Sequence, residues 1–229
     1  MTTRKPDAIA ILGGTGDQGL GLALRFAHVG RPVVIGSRKQ ERALAAAFEV
    51  TKAVPGADVA GFENAEATRR AELVILSVPF EHMAATVKAL REVLVPGQIV
   101  VSMGVPLATA IGDGAARTLG VWQGSCAELV ESLVPDGVAV VSAFQNVASH
   151  RLQDLAHAVE CDVIVSGAKG ARDRVIDLCR LIPGMRGVDG GPLANARYVE
   201  GWTALLIGLN VRYKVPEGMG FRLTHLPAQ

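Results

Sequence analysis

AIAILGGTGDQGLGLALRFAHVGRPVVIGSRKQER, residues 8–42, decides the fold. Residues 8–12 form a short apolar run that reads as a strand, and residues 18–30 repeat apolar side chains at helical spacing. Between them Gly14, Gly16 and Gly19 satisfy G-x-G-x-x-G, directly after the strand and at the opening of the helix. Each glycine has a mechanical task in that context: a tight turn, close approach of backbone to a pyrophosphate, and close packing of helix on sheet. The helix opens at Asp17 and Gln18, where unpaired N–H groups and the positive end of the helix dipole suit phosphates. Thr15 adds a hydroxyl. The stretch predicts a dinucleotide-binding strand–turn–helix, against glycines that serve packing alone.

The second strand of the unit, RPVVIGSRK at residues 31–39, bears on which dinucleotide. A carboxylate at its end would accept the ribose hydroxyls of NAD and repel the 2′-phosphate of NADP. No Asp or Glu stands there. Ser37 offers a hydroxyl, and Arg38, Lys39 and Arg42 offer cations, of which arginine can make two parallel charge-assisted bonds to a phosphate. The expected cofactor is NADP, the alternative being a solvated basic turn.

Outward from this unit, Val- and Ile-rich runs at residues 58–62, 73–78, 98–102 and 138–144 alternate with helical segments at 39–54, 64–71, 81–95 and 125–135. Alternation of this kind predicts an α/β fold, a Rossmann-like doubly wound parallel sheet. Gly30, Gly56, Gly97 and Gly137 sit where helices end. After residue 147 the pattern changes to a linking helix (150–159), one strand (161–167), a helix (171–182) and a long helical segment from Pro192 to Lys214. The expected organisation is therefore an NADP-binding domain over residues 1–147 and a smaller, mainly helical domain over 148–229. The segment 192–211 is apolar around most of its circumference, so a homodimer through it is expected.

Composition narrows the class. The 229 residues can bury a sizeable core, and 49% hydrophobic with 20% charged residues is ordinary for a globular protein. A net charge of +1 argues against a general binder of nucleic acid or of membrane surfaces. Cys126, Cys161 and Cys179 are odd in number and lack C-x-x-C spacing, so they read as reduced, buried thiols. The opening residues show no apolar signal segment and no apolar run reaches membrane-spanning length, so a cytoplasmic location is expected. The five histidines show no metal-ligand spacing.

The fourth strand ends at Ser77, Val78 and Pro79, beside the switch point where such sheets bind ligands. Pro79 stiffens that turn and provides an apolar wall for a nicotinamide. His82 opens the next helix, and the sixth strand brings the amides of Gln145 and Asn146 to the same edge. No triad, dyad or metal set suggests a catalytic side chain. The residues alone leave open an NADPH-dependent reductase of a flavin or small carbonyl compound, or a non-enzymatic NADP(H) sensor.

The blocks LGGTGDQGLGLALR, GSRKQER, VPFEH, VVSAF and GPLANARYVEGWTALLIGLN carry a resemblance over nearly the whole chain. It resembles the NADPH-dependent reductases of the 8-hydroxy-5-deazaflavin coenzyme F420, the last block being the most specific. The resemblance implies hydride transfer between NADP(H) and coenzyme F420. It implies that Thr15, Ser37, Arg38 and Arg42 hold NADP phosphates, that Val147 and Thr203 pack and hydrogen-bond the deazaflavin between the two domains, and that the chain pairs as a homodimer. Gln145 stands where a histidine is common in that family.

Overall fold

A computed structural model of the protein describes Lys5 and residues 7–227. Eight strands form one sheet: β1 (Ile9–Leu12), β2 (Val33–Ser37), β3 (Val59–Glu63), β4 (Leu73–Leu76), β5 (Ile99–Ser102), β6 (Ala139–Ser142), β7 (Cys161–Gly167) and β8 (Met185–Asp189). Their spatial order is β3-β2-β1-β4-β5-β6-β7-β8. The first six are parallel, and the order reverses between β1 and β4, which makes the doubly wound core expected from the sequence.

Side chains on β1 alternate between two faces, as the strand period requires. Ile9 and Ile11 join a core with α1 (Asp17–His28), α2 (Gln40–Ala53) and α7 (Lys169–Arg180). Ala8, Ala10 and Leu12 join the opposite core with α3 (Asn64–Arg69), α4 (Phe80–Leu90) and α5 (Cys126–Glu131). All three cysteines are buried and free, and burial raises each thiol above its ordinary pKa.

The change of pattern after Val147 marks a reversal of chain direction. The expected linking helix over 150–159 shrinks to α6 (Ser149–Gln153). Its continuation is prevented by Arg25, 2% exposed on α1, whose guanidinium takes the backbone carbonyls of Arg151, Leu152, Asp154 and His157. Burial lowers the pKa of that guanidinium. The chain comes back from the same edge of the sheet, and β7 pairs antiparallel with β6. β8, a short edge strand interrupted by Arg186 and Gly187, pairs parallel with β7 and lacks a legible alternation in the sequence. The sheet thus continues through residues 161–189, and the helical remainder is a 3-10 turn (Leu193–Asn195) followed by α8 (Ala196–Tyr213).

Residues beyond α8 fold back over β7 and β8. Asp162, fully buried on β7, accepts from Nε and Nη2 of Arg186 at 2.6 Å each, from Arg222 at 3.1 Å and from the Leu223 N–H at 2.7 Å. Burial works to raise the pKa of this carboxyl, but Arg186 and the other donors hold it below the usual carboxylate value.

Candidate functional site

The phosphate turn is built by contacts no larger residue would permit. Gly13 leaves β1 with φ of +79°, and a Cβ there would lie 2.2 Å from the Ser77 carbonyl oxygen. The left-handed residue is thus Gly13, one position ahead of the expected turn glycine, Gly14, whose added Cβ would stand 3.0 Å from the Ile11 carbonyl oxygen. A Cβ at Gly19 would fall 2.6 Å from the Gly13 carbonyl oxygen, which is the expected helix–sheet contact. Gly16 differs. A Cβ there would meet nothing nearer than 3.6 Å, so its bareness leaves open space at the start of α1.

Two grooves meet at this turn. The first, about 470 Å³, runs over the end of β2 and the start of α4; its lining includes Thr15, Gly16, Ser37, Arg38, Arg42, Val78, Pro79 and His82. Ser37 is 6% exposed, whereas Arg38 and Arg42 are exposed and neither forms an ion pair among the described residues. Asn64 and Thr86, which the sequence did not single out, complete the wall.

The second groove, about 580 Å³, shares Gly16, Ser77, Val78 and Pro79 with the first. Asp17, Gln18, Gln145 and Thr203 face it, together with a wall made by Met103, Gly104, Val105 and Leu107 after β5. That wall carries no sequence signal except Gly104, where a Cβ would stand 2.4 Å from the Cys126 sulfur. Phe144, 0% exposed, holds φ of +71°, uncommon for so bulky a residue, and so turns the chain after β6 at the floor of the groove. Val147 lies outside both grooves. It lines an adjoining cavity of about 210 Å³ with Gln18, Gln145 and Thr203.

The amides in this region are oriented by backbone. Gln18 donates to the Val147 carbonyl at 2.7 Å, and Gln145 donates to the Ser102 carbonyl at 3.2 Å and the Ser142 hydroxyl at 2.5 Å. Each donor is thereby committed, and the carbonyl oxygens of Gln18, Gln145 and Asn146 are buried without a partner. Such acceptors suit N–H or O–H groups of a bound ring. Thr203 on α8 donates its hydroxyl to the backbone carbonyl oxygen of Gln145 at 3.0 Å, leaving the side-chain oxygen unpaired and tying α8 to the end of β6.

Glu200, part of the block that carries the resemblance but given no role by the sequence, is 2% exposed one turn before Thr203. Its oxygens accept from the N–H groups of Cys126 (2.8 Å) and Ala127 (3.1 Å). Burial pushes its carboxyl up to about 7, against the pull of those two bonds.

A phosphate turn at the switch point, unpaired guanidinia at the end of β2 and a second groove on the same edge define a dinucleotide-binding oxidoreductase. Comparison with known proteins narrows this. Residues 8–106 match the family described as NADP oxidoreductase, coenzyme F420-dependent. The F420-dependent NADP reductase of Methanocaldococcus jannaschii is 48% identical over 223 residues, spanning 95% of this chain and 98% of that protein. That of Methanothermobacter marburgensis is 41% identical over 223 residues, spanning 96% and 99%. The chain belongs to this family of F420-dependent NADP reductases. A crystal structure from Arthrobacter sp. FB24, provisionally assigned as an F420-dependent NADP reductase, superposes with a TM-score of 0.79 at 26% identity, covering 95% of this chain and 99% of that one. A reductive aminase from Aspergillus terreus, with a TM-score of 0.61 at 16% identity, shares the fold.

Proposed function

We infer that the chain transfers a hydride between NADP(H) and coenzyme F420, with NADP in the first groove and the deazaflavin in the second. The observation that carries this is the junction at Gly16, Ser77, Val78 and Pro79, where the two grooves become one surface. The residues present fit both groups: space opens at Gly16, Arg38 and Arg42 are unpaired, and the buried acceptor oxygens of Gln18 and Gln145 need donors.

The two coenzymes supply hydride donor and acceptor when bound, so no side chain need act as nucleophile. The chain's own work is binding and orientation. Ser37, Arg38 and Arg42 take the 2′-phosphate, and Thr15 with the N-terminus of α1, at Asp17 and Gln18, takes the pyrophosphate. Pro79 and His82 flank the nicotinamide end. Gln145 and Thr203 hold the deazaflavin against it, Val147 backs them from the adjoining cavity rather than touching the ring as the resemblance implied, and together they keep water from the reacting faces, which must approach to about 3–3.5 Å.

On this reading residues 1–147 serve NADP, and residues 148–229 serve the deazaflavin and self-association. A second copy is the proposed cover of α8, where Tyr198, Leu205 and Val211 are 64%, 60% and 76% exposed. No described helix is long and apolar enough to cross a membrane; the proposed location is the cytoplasm, on the three free cysteines.

The test mixes protein, NADPH and oxidised F420 and follows the absorbance of each. Both should fall in equal molar amounts. NADPH consumed at the same rate without F420, or not consumed with it, overturns the reading.

A further inference from the structure

Glu200 has no role in the contacts assigned above, yet it is among the most costly groups in the fold. It is buried, and no cation among the described residues neutralises it: Arg197, one turn earlier on α8, is committed to Glu128 at 3.0 and 3.1 Å. A leucine or methionine would fill the same α5–α8 contact without a buried carboxylate, but would leave the buried N–H groups of Cys126 and Ala127, at the first turn of α5, without an acceptor. Glu200 therefore caps α5, and apolar packing alone does not account for it.

Geometry does. Its two oxygens are held by two successive N–H groups, of Cys126 and Ala127, which fixes both the height and the rotation of α8 against α5. Thr203 follows three residues later, on the same face of the helix, and its hydroxyl reaches the Gln145 carbonyl oxygen in the second groove. Elsewhere α8 packs through Val199 on Ile164 and Val188 and through Trp202 on Phe221, contacts that hold the helix without fixing its rotation by hydrogen bonds. We propose that Glu200 is a positioning residue for the second coenzyme, its paired bonds to the start of α5 setting where Thr203 stands in the ring pocket. This rests on the reading that the deazaflavin lies against Thr203.

The tether depends on charge. The carboxylate accepts both N–H groups, whereas the protonated acid turns one oxygen into a hydroxyl, a poorer acceptor, and loses one bond. With the carboxyl pushed up to about 7, the change falls near neutral pH. The groups facing it are the Cys126 thiol, itself raised to about 12 by burial and then by Glu200, and the Glu128–Arg197 pair. The thiol at about 12 offers no competing titration near neutrality.

The test is E200Q, which keeps shape and one acceptor but sets an NH2 against the second N–H. Affinities for oxidised F420 and for NADPH are read from coenzyme fluorescence at about pH 6 and about pH 8, with a thermal melt of each variant. Taking the ratio of variant to wild type cancels titration of the coenzyme itself. For F420 the ratio should be near one at the lower pH and show about tenfold weaker binding at the higher, while NADPH stays within about twofold at both. In a Thr203→Val background E200Q should add less than about twofold, because it acts through that residue. Equal losses for both coenzymes, a pH-independent ratio, or full additivity with Thr203→Val overturns the proposal. If E200Q does not fold, the wild-type amide resonances of Cys126 and Ala127 decide: they should move with a midpoint near 7, and F420 but not NADPH should lower that midpoint by linkage. Absence of that shift overturns the proposal. A wild-type protein that does not bind F420 overturns the functional reading and this inference with it; F420 binding at a ratio of one at both pH values overturns this inference alone.

Discussion

Removing the guanidinium of Arg38 should separate the two nicotinamide cofactors. Arg38 stands just past β2, beside the buried Ser37, and has no acidic partner among the described residues. Its donors are thus free for a 2′-phosphate, and their loss is not offset by release from another ion pair. A hydrogen bond to a charged group contributes roughly 1.5–3 kcal/mol, and exposure to solvent places this one toward the lower end. Arg38→Ala should therefore weaken NADPH by about ten- to thirtyfold. NADH, which lacks the phosphate, should change by less than about twofold. Adding Arg42→Ala should cost less than a second full step, because both arginines address one phosphate. Fluorescence titration at low and high salt gives the assay: salt should weaken NADPH binding to the unmodified protein and much less to the variant. Equal losses for NADPH and NADH would place Arg38 in general support of the groove and refute the reasoning.

Thr203→Leu should lose most F420 reduction while NADPH affinity stays within a few-fold, about 1 kcal/mol, with an unchanged melting temperature; full turnover in a folded variant would put the second ring elsewhere. Gly19→Ala, which drives a Cβ to 2.6 Å from the Gly13 carbonyl oxygen, should weaken NADPH and lower the melting temperature together, as calorimetry and titration would show. Leu205→Glu should give a monomer by light scattering where the unmodified protein gives a dimer; a monomer in both cases would refute self-association through α8. Glu200 has a folded pKa raised from 4.5 to about 7, so the stability linked to it is fully present below 4.5 and is lost as pH rises through about 7. Melts of wild type against E200Q should therefore diverge across that window, by on the order of 3 kcal/mol if the whole displacement is realised, and a parallel pair of curves would refute it.

The parallel half of the fold was legible because one local rule governs each part. Val- and Ile-rich runs gave the six parallel strands, and Gly30, Gly56, Gly97 and Gly137 all hold left-handed φ at the helix ends where they were expected. Thr15, Ser37, Arg38 and Arg42 do line one groove, since strand ends and turn spacing fix where they emerge. What failed was set by distant partners. Nothing near residue 150 shows that Arg25, some 125 residues earlier, will take the carbonyls a longer α6 would use. β8 exists because β7 offers it an edge, and Arg186 within it answers Asp162 across the sheet. Glu200 reads as one more polar helix residue until α5 is placed against it.

The antiparallel turn into β7 leaves the two coenzymes walls of unequal stiffness. β8 runs away from the ligand edge, so the chain must return along α8, whose foot is sunk in the core at Ala196, Val199 and Glu200 while Leu205 and Val211 stand open. The first groove, proposed for NADP, lies between the ends of paired parallel strands and α4. The second groove is closed on one side by a single helix that no strand pairing holds, only side-chain contacts: Thr203 to Gln145, Trp202 against Phe221 and Asn210 to the Met219 N–H. Amide exchange should find β1 and β4 opening only with the whole molecule, and residues 203–211 opening well before it. On the proposed placement, one coenzyme rests against paired strands and the other against a helix that side chains alone hold in place.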